Sequence, residues 1–260
     1  MKISIGSATK GTFIFTAVTV LSGCVAYPNV EKINADFSGY LNSEYSISYP
    51  SAALRAKLTE VNLKPKPGIK EFSMKMNLSQ AGIGEQTPKV SPFDVRFTNL
   101  GNGFYREVRE LRNNDFLTAR FVYLTWAGLL QLRSDTIISG DTFPVPYQEV
   151  KEVAPFKFDP ANMKVGDKLV FETKLGNRPQ AFNFITEKSE CIAEKIAPAA
   201  SLQKNFSGNG VWLACTTKND RGFDSKKKSV YLIDYALAIP LEFKSPTRTQ
   251  EYEITGFTAQ

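Results

Sequence analysis

The chain has 260 residues, of which 42% are hydrophobic, 22% charged and 12% aromatic. That composition is typical of one or two globular domains, and it excludes wholesale disorder, collagen and coiled coil. The 32 Lys and Arg residues outnumber the 26 Asp and Glu residues, which gives a formal net charge of +6. Histidine is absent. Ser-His-Asp and Cys-His catalysis, histidine-ligated zinc or haem, and histidine pH switches are therefore excluded.

The first 24 residues have the features of an export signal. Lys2 and Lys10 precede an apolar stretch at 13–21. A basic start, a short apolar core and small residues at its end are typical of a secretory signal. The core is shorter than the roughly 20 apolar residues that a membrane-spanning helix needs. The signal ends in Leu21, Ser22, Gly23 and Cys24.

These four residues resemble the lipobox of bacterial lipoproteins. In that family the signal is cut just before the cysteine, so the resemblance implies a signal peptide over 1–23 and lipidation of Cys24. Two or more acyl chains give stable membrane attachment. By resemblance to enteric lipoproteins, Val25 rather than Asp after the cysteine favours the outer membrane over the inner one. We therefore expect an outer-membrane anchor on the periplasmic face; the alternative is an ordinary cleaved signal with a chance cysteine.

Two cysteines remain in the exported part of the chain, Cys191 and Cys215. The compartment is oxidising, and the spacing does not match a CxxC metal or redox motif. The sequence therefore predicts a structural disulfide rather than two separate buried thiols. Such a bridge closes a loop of about 24 residues and stabilises the fold by roughly 3 kcal/mol in the chain-entropy model.

The region after the signal shows no strand pattern at first. Residues 24–50 are mixed and aperiodic, which predicts a lipid-anchored tether. Residues 51–63 predict one short amphipathic helix with Ser51 as its N-cap. Its apolar residues recur at i, i+4 and i+7: Leu54, Leu58 and Val61.

Most of the region 51–260 alternates with the period of two that a half-buried strand produces. The segment 231–244 predicts a single strand, in which Pro240 marks an edge position or a bulge. The segment 116–132 is apolar on both faces and predicts a central, doubly covered strand. The clearest apolar faces elsewhere are Phe72, Met74, Met76 and Leu78, followed by Phe93, Val95 and Phe97.

Turn residues separate these runs, and no βαβ rhythm is present. The predicted fold class is all-β: an antiparallel meander forming a curved sheet, half-barrel or sandwich, with one short N-terminal helix. A proline-rich stretch at 139–160 could divide the domain into halves of about 51–150 and 155–260. At the level of fold alone, this picture resembles the curved sheets of the lipoprotein-carrier (Lol) proteins and of lipocalins.

No catalytic constellation is predicted, because the sequence has no GxSxG, SxxK, Walker or GxGxxG pattern. Asp234 and Glu242 are eight residues apart, about 26 Å in an extended strand, which is too far for a glycosidase pair. Glu107, Glu110 and Glu172 lie among Arg and Lys, which predicts ion pairs on a solvated face. We expect no cofactor and no metal.

Two basic segments and the aromatic content leave alternatives open. Lys64, Lys66 and Lys70, and the run 226–228, fit solvated loops or contacts with anionic lipid headgroups or cell-wall polymer. The 19 Phe and 10 Tyr residues fit a packed β core or an apolar cavity in an incomplete barrel.

The sequence therefore supports three functional hypotheses. The first is a non-enzymatic, lipid-anchored binding module for an apolar ligand or an envelope protein. The second is a structural or assembly accessory of an outer-membrane or cell-surface complex. The third, more distant, is a carboxylate-based glycan hydrolase. Nucleic acid is not expected as a partner of an exported chain.

Overall fold

The computed structural model describes residues 28–85 and 87–259. Within them lie three helices: α1 (Val30–Ala35), α2 (Phe37–Glu44) and α3 (Ala52–Glu60). The strands are β1 (Glu71–Gly82), β2 (Lys89–Gly101), β3 (Phe104–Asn113), β4 (Phe116–Trp126), β5 (Leu130–Ile138), β6 (Val145–Pro146), β7 (Glu149–Val153), β8 (Lys168–Gly176), β9 (Ile185–Pro198), β10 (Asn209–Asn219), β11 (Asp224–Leu232), β12 (Leu237–Ser245) and β13 (Arg248–Ala259). The predicted signal and lipobox, Leu21, Ser22, Gly23 and Cys24, lie outside the described residues.

All described strands form one sheet, and every paired neighbour is antiparallel. The strand order is β6-β5-β4-β3-β2-β1-β13-β12-β11-β10-β9-β8-β7. Two meanders, β1–β6 and β7–β13, are therefore joined where β1 pairs with β13. The predicted all-β antiparallel fold class is confirmed. The proline-rich stretch 139–160 contains the crossing from β6, at one end of the sheet, to β7, at the other.

The sheet curls until its two ends meet without closing. Cα atoms of β5 and β7 approach within 8 Å of each other, yet no hydrogen-bonded ladder joins these strands among the described residues. The two edge strands of the sheet, β6 and β7, are short. Pro146 in β6 has no N–H to donate, which disfavours pairing of this edge with another strand. The architecture is thus an incompletely closed barrel.

The segment predicted as a tether belongs to the fold instead. Within 24–50, helices α1 and α2 bury Val30, Ile33 and Leu41 at 3%, 1% and 6% exposure, and Tyr45, which follows α2, is 0% exposed. Asn29 caps α1, because its Oδ1 atom accepts the Lys32 N–H at 2.8 Å. Helices of six and eight residues are too short to show a 3.6-residue period, so the prediction from periodicity was wrong here.

The third helix agrees with the sequence-based prediction. Its N-cap is Ser51, whose hydroxyl oxygen accepts the Leu54 N–H at 3.2 Å. Leu54 and Leu58 are buried, and Val61 packs at the rim of the same core.

Two long predicted strands are each interrupted by left-handed backbone. In 116–132, Ala127 (φ 54°) and Gly128 (φ 64°) form a turn between β4 and β5, so the single central strand was wrong. In 231–244, a 3-10 turn at Ile233–Tyr235 and Ala236 (φ 48°) separate β11 from β12. Pro240 lies at a bulge between these strands, one of its two predicted settings.

The apolar side chains form two cores, and strands β11 and β12 lie between them. Tyr231 and Ala238 belong to the first core, with the helices, β3–β5 and β7–β10. The other face of the two strands enters the second core, with β1, β2 and part of β3. Alternate residues of a strand point to opposite faces. Each core is thus a continuous cluster of buried side chains, and the two clusters lie on opposite faces of β11 and β12.

Candidate functional site

A cleft of about 420 Å³ opens between α3 and residues 154–159. That volume falls within the range of small-molecule sites. Its walls include the apolar Val61 and Phe156, and Lys57 and Lys157 lie at its border. The cleft is therefore lined by both apolar and charged side chains.

Phe156 and Phe158 form an aromatic floor of the cleft, and they pack against further aromatic rings behind it. Phe156 meets Trp126 edge to face with ring centroids 5.4 Å apart, and it lies 6.1 Å from Phe171. Phe158 meets Tyr231 in the same manner at 5.0 Å. Such edge-to-face contacts add to the free energy of burying the rings. An apolar ligand that entered the cleft would meet Phe156 and Phe158 before the rings behind them.

Trp126 is fully buried, and its indole Nε1–H has no hydrogen-bond partner among the described residues. Leaving a buried donor unpaired costs roughly 1–3 kcal/mol. The aromatic cluster therefore contains an unused donor that an oxygen of a ligand or a water could satisfy.

The cover of the cleft is held by few contacts. Helix α3 buries only Leu54 and Leu58. Across the cleft, Lys57 Nζ donates a hydrogen bond to the Val153 carbonyl at 2.9 Å. On the other wall, Ala154 N–H donates to the Glu172 carbonyl at 2.9 Å. A short helix with two buried leucines can move at lower cost than the strands beneath it.

A buried ionic network ties α2 to the seam. Arg133 on β5 has a side-chain exposure of 2% and donates to Glu44 at 2.7 Å and to Asp135 at 3.1 Å. Tyr40 donates its hydroxyl hydrogen to Asp135 at 2.6 Å, and Arg178 also pairs with Glu44. Burial would raise the pKa of Glu44, but Arg133 and Arg178 outweigh it and hold that pKa below its usual value.

The network continues across the seam to β7. Tyr49 donates to Glu149, and Lys151 pairs with the same carboxylate at 3.1 Å. The Arg133 guanidinium stacks 4.2 Å from the Tyr49 ring centroid. Burial and the hydrogen bond to Glu149 raise the pKa of Tyr49. Polar side chains thus join the two ends of the sheet where no backbone ladder does.

The predicted disulfide is confirmed. Cys191 on β9 and Cys215 on β10 are directly opposite in the ladder, with Cα atoms 3.9 Å apart. Both are buried in the first core. The bridge joins adjacent strands rather than distant parts of the chain.

The three carboxylates that were predicted to form surface ion pairs lie in different environments. Glu110 pairs with Arg120 on β4 at 3.0 Å and with Arg112 at 2.7 Å, as an ion pair at the surface should. Glu107 is only 6% exposed and pairs with Arg109, so its predicted solvated position was wrong. The ladder places Glu107 opposite Phe97, on the apolar face of β2. No ion pair of Glu172 is among those described.

Asp234 and Glu242, which the sequence separates by too great a distance to cooperate, have different partners. Asp234 accepts from Ser207 and lies 3.8 Å from Lys66 Nζ, whereas Glu242 pairs with Lys244. The run 226–228 lies within β11 rather than in a solvated loop, and Lys227 is partly buried.

Across residues 28–85 and 87–259, no helix is long and apolar enough to cross a membrane. In the same ranges, no group of three or more Cys, Asp and Glu side chains is arranged to hold a metal ion.

The comparisons with known proteins identify no family. No family model matches the chain, and no curated protein matches it. Among solved structures, the chain is similar to a LolA superfamily protein from Nitrosomonas europaea, with 6% sequence identity and a TM-score of 0.35. The match covers 81% of this chain and 94% of that one. At this TM-score the likeness carries no argument. The structure itself defines the class as an antiparallel, incompletely closed β-barrel.

Proposed function

We propose that the protein is a non-enzymatic binding module, anchored by lipid on Cys24 at the periplasmic face of the outer membrane. It takes an apolar or amphipathic ligand in the cleft between α3 and residues 154–159. The observation that carries this proposal is the aromatic floor of the cleft, where Phe156 separates Trp126 from the opening.

Deep binding in this cleft requires a displacement, since Phe156 packs against the buried Trp126 ring. Phe156 is only partly buried, and moving it exposes the Trp126 ring to the cleft. Each methylene of a ligand that replaces this contact contributes about 0.8 kcal/mol when buried. The weakly held α3 supplies the movable wall.

The proposed anchor would keep this site close to the bilayer. Helix α1 begins at Val30, so residues 25–29 alone separate it from the lipidated Cys24. Five extended residues span at most about 18 Å. Val30 N–H also bonds the Thr142 carbonyl, which fixes the start of α1 to the β5–β6 connection.

Two carboxylates at the cleft are the candidates for a catalytic pair under the hydrolase hypothesis. Glu60 and Asp159 both line it, as do Lys57 and Lys157. Both acids are exposed, whereas a general acid needs the raised pKa that burial provides. Exposure therefore favours binding over glycan hydrolysis. Glu60→Gln and Asp159→Asn should leave ligand binding unchanged.

The proposal is tested on the chain from Val25 to Gln260, which contains every residue of the described fold. The purified protein is extracted with organic solvent, and the extract is analysed by mass spectrometry. We expect a stoichiometric apolar ligand. Phe156→Asp should abolish its retention, because it places a charge over the aromatic floor. Phe182→Asp is the matched control, since Phe182 is 73% exposed and lies outside the cleft.

A blank extract, together with no binding of added fluorescent fatty acid, would reject the ligand-binding proposal. Equal retention by Phe156→Asp and Phe182→Asp would show that ligand binds elsewhere. Circular dichroism of each variant confirms that it is folded.

A second candidate, an accessory of an envelope complex, is favoured by one exposed strip at the sheet edge. Phe143, Val145 and Tyr147 are 56%, 49% and 61% exposed. A photo-crosslinking residue at Tyr147 should capture an envelope protein in cells if this role is correct. The same residue at Phe182 serves as the control, and equal labelling at both positions would count against a specific partner.

A further inference from the structure

Exposed apolar side chains lie together at the end of the sheet where α1 begins. Phe116 is 78% exposed at the start of β4, and Ile138 is exposed at the end of β5. Phe143, in the β5–β6 connection, and Val145, at the start of β6, are exposed as well. We call these four residues the apolar rim. Exposed apolar groups gathered in one place are typical of surfaces that contact a protein or a membrane.

Hydrogen bonds hold the β5 and β4 parts of the rim side by side. Ser139, directly after Ile138, donates its N–H to the Thr118 carbonyl at 2.9 Å. The Ser139 hydroxyl also donates to the Leu117 carbonyl at 2.7 Å. The end of β5 is therefore fixed beside the two residues that follow Phe116.

The ladder between β5 and β6 places the rest of the rim. Val145 pairs with Thr136, two residues before Ile138. Since alternate residues of a strand share a face, the side chains of Val145 and Ile138 lie on the same face of the sheet. Phe143 lies two residues before Val145, in the connection at the end of the strands. A flat surface that met this end of the sheet would touch all four side chains of the rim.

Exposed charges of both signs flank the rim. Asp115 precedes Phe116, and Asp141 lies two residues before Phe143. The basic neighbours are Lys32 on α1 and Arg112, which donates to the Asp115 carbonyl at 3.2 Å. Attraction to anionic headgroups needs a cluster of basic residues. Any affinity of this rim for lipid would therefore come from burial of its apolar side chains.

The proposed lipid anchor is close to the same end of the sheet. Val30 N–H donates to the Thr142 carbonyl at 2.9 Å, so the start of α1 is bonded to the residue before Phe143. Residues 25–29 span at most about 18 Å, whereas the 12 residues of β13 extend over about 40 Å. A lipid on Cys24 would thus hold the bilayer near the rim rather than near the opposite end of the strands.

We propose that the apolar rim docks on the surface of a phospholipid bilayer, with Phe116 and Phe143 inserted between the headgroups. The bilayer is favoured over a protein partner because the tether to Cys24 is short. Docking would orient the barrel with its strands rising from the membrane. The presence of a bilayer beside the rim rests on the proposed anchor, whereas the affinity of the rim for lipid does not.

The test supplies a synthetic anchor, so that it does not depend on natural lipidation. In the chain from Cys24 to Gln260, Cys24 is the one cysteine outside the disulfide. It is coupled to a maleimide phospholipid in vesicles of phosphatidylethanolamine and phosphatidylglycerol. Part of the lipid is brominated on its acyl chains, and bromine quenches a tryptophan that enters the bilayer. We expect strong quenching of the Phe143→Trp variant.

Val165→Trp is the matched control for position. Val165 is 65% exposed and precedes β8. Because the strands alternate in direction, the start of β8 lies at the end of the sheet opposite the rim. The native tryptophans are common to both variants, so a difference in quenching reports the introduced residue. We expect no added quenching in Val165→Trp.

Further variants separate docking from mere closeness to the anchor. In the Phe143→Trp background, Phe116→Ser combined with Val145→Ser should lower the ratio of docked to undocked protein by roughly tenfold or more, because apolar area no longer enters the lipid. Val165→Ser should leave that ratio unchanged. Added salt should leave it unchanged too, since the contact is apolar. The replaced side chains are exposed, so each variant should keep the fold, which circular dichroism checks.

Three results would overturn the proposal. They are absent quenching of Phe143→Trp, equal quenching of Phe143→Trp and Val165→Trp, and quenching that survives the loss of Phe116 and Val145. Absent quenching together with capture of an envelope protein at Tyr147 would make this end of the sheet a protein interface instead.

These outcomes are distinct from a failure of the proposed function. The synthetic anchor makes them independent of lipidation in cells, which mass spectrometry of Cys24 in membrane-extracted protein decides. Ligand binding in the cleft is tested separately by Phe156→Asp.

Discussion

The two cores share β11 and β12 but are assembled differently. The first core joins strands to segments outside the sheet: α1, α2, α3 and the loop that carries Phe156 and Phe158. It is bordered by the ionic network of Arg133 and contains the disulfide. The second core is built from strand faces and short 3-10 turns, and its centre is a stack of aromatic rings.

Because of this difference, the second core mainly stabilises the fold, whereas the first core is the one that a ligand can reach. The second core is enclosed mainly by strands that share many backbone hydrogen bonds. The first core is covered by short helices and a loop, which can move while the sheet remains intact. A binding module needs both properties, and this molecule places them on opposite faces of the same two strands.

The largest expected effect is a cavity in the second core. Phe72 is fully buried, stacks 5.0 Å from Phe97 and meets Tyr235 edge to face at 5.4 Å. Phe72→Ala should lower the free energy of unfolding by about 3–5 kcal/mol. Urea denaturation measures it. A loss below about 1 kcal/mol would mean that the second core is not the stabilising one.

The seam should be nearly as sensitive. Arg133→Met leaves Asp135 without its buried cation and Glu44 with Arg178 alone, and it should cost about 3–5 kcal/mol. Arg112→Met, at a side chain 46% exposed, is the control and should cost far less, because exposed ion pairs contribute little to stability.

The Arg133→Met variant should also change how the free energy of unfolding depends on pH. The pKa of Glu44 is lowered in the folded state, so its ionised form stabilises the fold above the ordinary value of 4.5. That contribution is lost as the pH falls below 4.5 through the folded-state pKa. Arg133→Met should flatten this acid-side loss in pH-dependent urea denaturation. An unchanged slope would show that Glu44 does not depend on Arg133.

Removal of the disulfide should have an intermediate effect on the first core. The double variant Cys191→Ala and Cys215→Ala is expected to lose about 3 kcal/mol, because the unfolded chain regains the freedom of the closed loop. Thermal unfolding with and without reductant checks this. Reductant should lower the Tm of the wild type and leave that of the double variant unchanged. A reductant-insensitive wild type would contradict the prediction.

The smallest expected loss of stability comes from a change in α3, the helix that covers the cleft. Ser51→Ala removes the N-cap of α3 and should cost about 1 kcal/mol. Since α3 is one wall of the cleft, its amides should exchange with deuterium faster while those of β1 and β2 do not. Uniform acceleration across the molecule would mean that α3 opens only with global unfolding.

The alternation of apolar residues predicts most of the sheet. The faces of β1 and β2, with Phe72, Met74 and Phe93, follow the pattern because one side of each strand is buried. Helix α3 was also predictable, since its N-cap and its leucines agree. The pairing of Cys191 with Cys215 followed from the cysteine count and from the predicted, oxidising compartment.

The remainder depends on contacts between distant segments. Nothing local marks Ala127 or Ala236 as left-handed positions, because their conformation is set by packing against other strands. The neighbouring Gly128 shows how close this packing is, because a Cβ there would lie 2.1 Å from the Ala238 carbonyl oxygen. The Arg133 network joins residues about a hundred positions apart, so spacing could not reveal it. For α1 and α2, the caps Asn29 and Asp36 were signals that periodicity overlooked.

The most direct test of the central claim uses Trp126 as a reporter at the floor of the cleft. The chain has two tryptophans, so Trp212→Phe leaves Trp126 alone, and Trp126→Phe gives the converse control. Dibromostearate, a brominated fatty acid, is titrated into both variants. The account predicts saturable quenching of Trp126 and little quenching of Trp212. Unquenched Trp126 emission in a folded protein, at concentrations where the fatty acid binds, would contradict it.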